Sequence, residues 1–217
     1  MPKPSVLWID GVGSYALCDR DSVTIGQSFP GNDVDLAIRG DLSRRACAIH
    51  RVQGDYWIEA YQNVRLGDEI VEKPVLLRDQ SICVLGERVR FQYCKPSPLS
   101  STARLNLISE HRWQPYVDAV ILAAETVVIG CDPACHIRYS MPALALEIDR
   151  SPVQTDRSPV QGGPVGKFLL FRKNQRWICR VVGSESVWHG EQRKGPVFEV
   201  QPGERVQTEY LSWTLEV

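Results

Sequence analysis

The 217-residue chain has no long apolar run, no excess of one charge and no stretch with the apolar spacing of a long helix. Each absence removes a class of protein. A membrane-spanning helix needs roughly 20 consecutive apolar residues, and no run here approaches that. Met1-Pro2-Lys3-Pro4 leads into a short strand-like run rather than the apolar region of a signal peptide, so a cytoplasmic address is expected. Twenty-five Lys and Arg against 26 Asp and Glu leave a net charge of -1, which gives no global attraction to nucleic acid or to an anionic membrane. The four histidines are dispersed, and Ser43 has no histidine or acid at a recognisable catalytic spacing, so neither an enzyme nor a cofactor is expected.

The seven cysteines, at positions 18, 47, 83, 94, 131, 135 and 179, are odd in number, and several stand beside Val, Leu or Ile in strand-like runs. They read as reduced core residues rather than a disulfide framework. Cys131-Asp132-Pro133-Ala134-Cys135-His136 invites comparison with a metal or haem-attachment motif. Haem attachment uses two intervening residues rather than three, and a structural zinc needs four ligands, so no metal is expected and a loop entering a strand explains the segment. Gly11-x-Gly13-x-x-Ala16 after Val6 to Ile9 suggests a dinucleotide loop. Such a loop must open a helix, and Tyr15 to Cys18 instead runs straight into the turn Asp19-Arg20-Asp21-Ser22; a hairpin is the better reading.

What is present is a series of short runs rich in β-branched and aromatic residues, separated by Gly, Asp, Asn or Pro. They fall at Val6 to Ile9, Val23 to Gly26, Val34 to Ile38, Ala46 to Val52, Tyr56 to Ala60, Val64 to Leu66, Val75 to Leu77, Ile82 to Leu85 and Val89 to Tyr93. This spacing predicts an all-β sandwich. The Pro/Ser-rich Pro96 to Thr102 marks a boundary, after which the pattern restarts. Leu105-Asn106-Leu107-Ile108 resembles the opening strand, Val120-Ile121-Leu122 the second, and Thr126 to Gly130 echoes Ser22 to Gly26. Gln175-Arg176-Trp177-Ile178 matches Asp55-Tyr56-Trp57-Ile58, Trp188 to Glu191 falls where Leu66 to Glu69 stands, and Phe198 to Val206 matches Val75 to Ile82.

An internal duplication is therefore expected: two tandem sandwiches over 1-96 and 104-217, a linker at 97-103 and a loop insertion near 150-166. The insertion repeats Ser-Pro-Val-Gln at Ser151 and Ser158, and its composition suits a surface loop. The six Trp and seven Tyr are mostly core candidates, an exposed subset being available to a partner.

The run Leu42-Ser43-Arg44-Arg45-Ala46, preceded by Gly26-Gln27 and followed by Leu76-Leu77-Arg78-Asp79-Gln80-Ser81-Ile82-Cys83-Val84-Leu85-Gly86 and Phe91, resembles a forkhead-associated (FHA) domain. The resemblance covers about residues 5 to 94. It implies a sandwich that binds phosphothreonine peptides through loops at one end. On that resemblance the phosphopeptide site would comprise Gln27, Ser43, Arg44 and Asn63, with Arg39, Arg45 and Arg65 as further cations on the same loop face.

The family pattern is incomplete: its early arginine is replaced by Gln27, its histidine by Ala46, and its Asn-Gly loop by the region Asn63 to Asp68 with Gly67-Asp68. A phosphothreonine carries nearly two negative charges, so losing an arginine removes a contact worth roughly 1.5 to 3 kcal/mol, and Asp68 would repel the phosphate. In the second half the matching segment, Ala143-Leu144-Ala145-Leu146-Glu147-Ile148, has no Ser-Arg-Arg. Two readings stay open: a non-catalytic signalling adaptor that reads phosphothreonine peptides through its first sandwich, or a phosphate-independent scaffold or self-association protein. The partner in either case is a protein, with no oligomeric state fixed by the sequence.

Overall fold

The structure is a computed structural model that describes residues 4-140, 166-183, 186-189 and 192-217. Apart from Gly166, the expected insertion near 150-166 lies outside the described residues, as do Ala143 to Ile148 and Gly190-Glu191. Every described element is a strand. The first half of the chain gives β1 (Ser5–Ile9), β2 (Gly13–Cys18), β3 (Ser22–Gln27), β4 (Leu36–Arg39), β5 (Cys47–Val52) and β6 (Asp55–Ala60). It continues with β7 (Val64–Leu66), β8 (Glu69–Ile70), β9 (Val75–Leu76), β10 (Ile82–Leu85) and β11 (Val89–Cys94).

The second half gives β12 (Ala103–Leu107), β13 (Arg112–Gln114), β14 (Ala119–Leu122), β15 (Thr126–Gly130), β16 (Ile137–Arg138) and β17 (Lys167–Lys173). It ends with β18 (Arg176–Val182), β19 (Val187–His189), β20 (Gln192–Lys194), β21 (Val197–Glu199), β22 (Arg205–Gln207) and β23 (Ser212–Glu216). The expected all-β sandwich class is what the structure has. No described helix is long and apolar enough to cross a membrane.

Three sheets make the architecture. A twelve-stranded sheet runs β20-β19-β22-β23-β1-β2-β14-β12-β11-β10-β7-β8; a six-stranded sheet runs β13-β4-β3-β5-β6-β9; a five-stranded sheet runs β16-β15-β17-β18-β21. The smaller sheets cover opposite faces of the long one, as the two apolar cores show. Val6, Ala16, Cys18, Val120 and Leu122 belong to the core under the six-stranded sheet. Leu7, Ile9, Tyr15, Leu17, Ala119 and Ile121 belong to the core under the five-stranded sheet. Successive residues of a strand point to opposite faces, so the central strands β1, β2 and β14 serve both cores. That is why Tyr15-Ala16-Leu17-Cys18 and Ala119-Val120-Ile121-Leu122 are buried throughout, whereas a strand covered on one face, such as Val89-Arg90-Phe91, alternates.

The pairing crosses the chain halves. β1 pairs antiparallel with β23, the last strand of the second half, while β12 pairs with β11, the last strand of the first. The two hairpin-like pairs then meet through β2 and β14, which run parallel with Ala16 opposite Val120. Neither core is built from one side of residues 97-103 alone.

The internal echo also carries a one-residue correction. Trp177 was matched to Trp57, but its structural counterpart is Tyr56: both are buried, and their carbonyls accept equivalent bonds, Val200 N to Trp177 O and Leu77 N to Tyr56 O, each at 2.8 Å. Trp57 instead faces outward beside His50 and Leu76.

Candidate functional site

The loops at the end of β3 and the start of β5 bring three of the proposed residues together. The Gln27 N–H donates to the Ser43 carbonyl at 3.0 Å, and the Gln27 side-chain amide donates to the Gly40 carbonyl at 3.2 Å. Asn32 clamps both strands of this loop pair: its amide donates to the Gln27 and Arg44 carbonyls, each at 2.7 Å. Gly26 is required by close approach, since a Cβ there would run into the Arg44 carbonyl. The Ser43-Arg44-Arg45 turn is thus held by main chain, which leaves the two guanidinium groups outside.

Both of those groups lie over exposed aromatic rings. The Arg44 guanidinium carbon is 5.3 Å from the Phe29 ring centroid, and that of Arg45 is 5.2 Å from the Tyr61 centroid. Phe29 is 52% exposed and Tyr61 40%. A stacked guanidinium keeps its in-plane N–H donors available for a second partner. Partial burial and the neighbouring Glu59 charge raise the Tyr61 phenol pKa, against the opposing effect of Arg45. Among the described residues, neither Arg44 nor Arg45 forms an ion pair.

The remaining candidates are placed differently. The Tyr61 and Gln62 N–H groups donate to the Ala46 carbonyl, at 2.9 and 3.2 Å, which brings the Asn63 loop beside the Ser43 loop; the Asn63 carbonyl accepts from Gly86 N at 2.9 Å. Ala46 itself is buried. Arg65 lies within β7 between the core-facing Val64 and Leu66, so it points off the outer face of the long sheet, opposite Val84. Arg39 closes β4 on the outer face of the six-stranded sheet, directly opposite Arg112 of β13. The sequence reading missed Phe29, Asn32, Tyr61 and Arg112. Phe29 and Tyr61 were legible as aromatics within loops, but Arg112 lies beyond the expected boundary.

Other clusters resolve into structural roles. His136 is 1% exposed, and its Nδ1 accepts the Val128 N–H at 2.9 Å. In the first half the same place is held by Asp35, whose carboxylate accepts the Thr24 N–H at 2.8 Å. Burial holds the His136 pKa down at about 4, so the ring is neutral and acts as an acceptor. Ile137 pairs with Ile129 as Leu36 pairs with Ile25, which aligns His136 with Asp35.

Among the described residues no group of three or more His, Cys, Asp or Glu is arranged to hold a metal. None of the seven cysteines is in a disulfide, and burial pushes the Cys18, Cys83 and Cys179 thiols up to about 12.

Ser22, His50 and Glu59 are bonded in series, Ser22 Oγ to His50 Nδ1 and His50 Nε2 to Glu59 Oε2, each at 3.0 Å. They lie on neighbouring strands of the six-stranded sheet, with Ser22 directly opposite His50. None of the three lines either described cavity, and they form a cross-strand polar ladder. A cavity of about 430 Å³ opens where the two sandwiches meet, lined by Cys18, Asp19, Arg20, Asp35, Arg172 and Gln175 among others. Its charges pair with one another, Arg20 with Asp35 and Arg172 with Asp19.

No family model matches the chain, and no curated protein matches it. Among solved structures it is similar to the N-terminal FHA domain from EssC, a component of the bacterial Type VII secretion apparatus. The two are 10% identical over 98% of this chain and 92% of that chain, with a TM-score of 0.26.

Proposed function

We propose that the chain is a non-catalytic, FHA-type protein-interaction module whose first sandwich binds a phosphothreonine peptide at the Ser43-Arg44-Arg45 turn. The observation that carries this is the pair of exposed guanidinium groups, each stacked on an aromatic ring and without an ion-pair partner among the described residues. Two pre-oriented cations beside a serine hydroxyl suit a dianionic phosphate, and the exposed faces of Phe29 and Tyr61 suit the apolar parts of a peptide. The sheet below supplies rigidity and the loops supply contacts. The sequence resemblance supports the same assignment of Ser43 and Arg44.

One observation favours the phosphate-independent reading. Gln27 uses one N–H of its side-chain amide on the Gly40 carbonyl and is neutral, so the position of the missing family arginine offers no positive charge to a phosphate. The two readings separate in a titration with a degenerate phosphothreonine peptide library beside its unphosphorylated control. Selective retention of phosphorylated peptides supports the phosphate reader; equal retention of both libraries supports the scaffold.

A further inference from the structure

The second half of the chain contributes a strand to the first sandwich's outer sheet, and with it a cation. β13 pairs antiparallel with β4 so that Arg112 is directly opposite Arg39, while the neighbouring pair Trp113 and Ile38 is buried in the core. Alternation along a strand then sends both arginine side chains to the same outer face. Directly opposed residues have Cα atoms about 4.5 to 5.5 Å apart, and like charges at that spacing destabilise a sheet.

Among the described residues no salt bridge relieves this repulsion. Both arginines are exposed, and among the described residues neither is in an ion pair, although the exposed acids Asp41 and Glu110 each lie two residues away in sequence. The Arg112 guanidinium carbon is instead held 4.9 Å from the ring centroid of Tyr116, which is 59% exposed. This is the same device that presents Arg44 and Arg45: a cation stacked on an exposed ring.

The arginine pair is also tied to the Ser43 turn. His111 packs on Gly40 so closely that a Cβ at Gly40 would run into the imidazole. Gly40 in turn receives the Gln27 amide, and Ser43 is four positions along the chain from Arg39. Four residues span at most about 14 Å, a distance that about four residues of extended peptide cover.

We infer that Arg39 and Arg112 form a second oxyanion site, built across the two chain halves, for a carboxylate or phosphate side chain of a bound peptide. Its role as a subsite for residues near the phosphothreonine rests on the function proposed above; its ability to bind an oxyanion does not. The site makes the module a reader of two negative groups rather than one. The arginine fork suits either a carboxylate or a phosphate, since both present paired oxygens.

The test has two arms. Inorganic phosphate is titrated into the full chain while the arginine Nε–Hε resonances are followed by NMR. The site predicts that the Arg39 and Arg112 signals move together on one binding curve, and that both movements disappear in R112Q. Movement confined to Arg44 and Arg45, or no movement, overturns the inference whether or not the chain binds peptides. In the second arm, phosphothreonine peptides carrying Asp, phosphoserine or Ala within four positions of the phosphothreonine are compared. The acidic peptides should bind about fivefold more tightly than the Ala peptide, and R112Q should remove the difference. Equal affinities in the unmodified chain, or a difference that persists in R112Q, count against the subsite. Loss of all peptide binding while the phosphate curve at Arg39 and Arg112 remains would refute the phosphothreonine reading and leave the anion site standing.

Discussion

The Tyr56 hydroxyl donates to the carbonyl of Leu122 at 3.1 Å, a bond inside the first core between a strand of the first half and one of the second. Its counterpart runs the other way: the Trp177 indole N–H donates to Ser5 Oγ at 3.1 Å, from the second half to the first. These bonds sit where each sandwich is completed by opening strands from the other half.

That exchange predicts that residues 1-96 do not fold alone. The first core would lose Ala103, Leu105, Trp113, Val117, Val120 and Leu122, all buried in the complete chain. Each large side chain of this kind contributes about 1.5 to 3 kcal/mol, and small domains have about 5 to 15 kcal/mol in all. Thermal denaturation followed by circular dichroism should show no cooperative transition for 1-96 and a cooperative one for the full chain. In the full chain, Tyr56→Phe should cost about 1 kcal/mol in urea denaturation.

Gly26→Ala should damage the loop end more than its size suggests. The added Cβ meets the Arg44 main-chain carbonyl, which is fixed by the Asn32 amide, so the Ser43-Arg44-Arg45 turn has to shift. A loss of about 1 to 3 kcal/mol in stability is expected, together with loss of peptide binding. Gly67→Ala tests a different mechanism: its φ of 61° strains any side chain, but no atom lies within 4 Å of the added Cβ, so binding should change little.

His136 makes stability depend on pH. Its folded-state pKa, about 4, lies below the ordinary value of 6.5, so the unfolded chain takes up the proton first. The neutral ring's contribution is complete above about pH 6.5, falls as pH drops from there toward 4, and changes no further below that. The total is about 3 kcal/mol by the usual conversion of pKa difference to free energy. Urea denaturation between pH 7.5 and pH 4.5 should show this loss, and His136→Asn, which keeps an acceptor for Val128 N–H, should flatten it. An unchanged slope in the variant would assign the pH dependence elsewhere.

Thiol accessibility should divide the cysteines sharply. Cys18, Cys47, Cys83, Cys135 and Cys179 are buried, while Cys94 and Cys131 are partly exposed. A thiol reagent applied to the native protein should modify two groups quickly and all seven only after denaturation. Rapid modification of a third would show that one of the cores opens.

The strand series was legible because its signal is local. Val23 and Ile25 recur as Val127 and Ile129, and each pair is buried under its own sheet. The exchange was not legible, because local apolar patterns mark strands but not their partners; pairing is decided by the three-dimensional closure of both sheets. The Trp177 register slipped for a related reason: a tryptophan in each half is a strong visual match, yet burial equates Trp177 with Tyr56. Asp35 and His136 share one acceptor role but no chemical likeness, so no residue match could align them.

At the site, Ser43, Arg44 and Gln27 were readable from a motif. Arg39 was legible as a charge, but its counterpart Arg112 is 73 residues away in the chain and belongs to a three-residue strand with too little pattern to predict.

The central claim is that the Ser43-Arg44-Arg45 turn recognises phosphate, and isothermal titration of the full chain with one phosphothreonine peptide and its unphosphorylated twin addresses it most directly. The account predicts micromolar affinity for the phosphorylated peptide, weakening as salt is raised, with at least tenfold weaker binding of the twin and loss of that preference in Arg44→Ala. Equal affinity for the two peptides, or a phosphate preference that Arg44→Ala leaves intact, would contradict it.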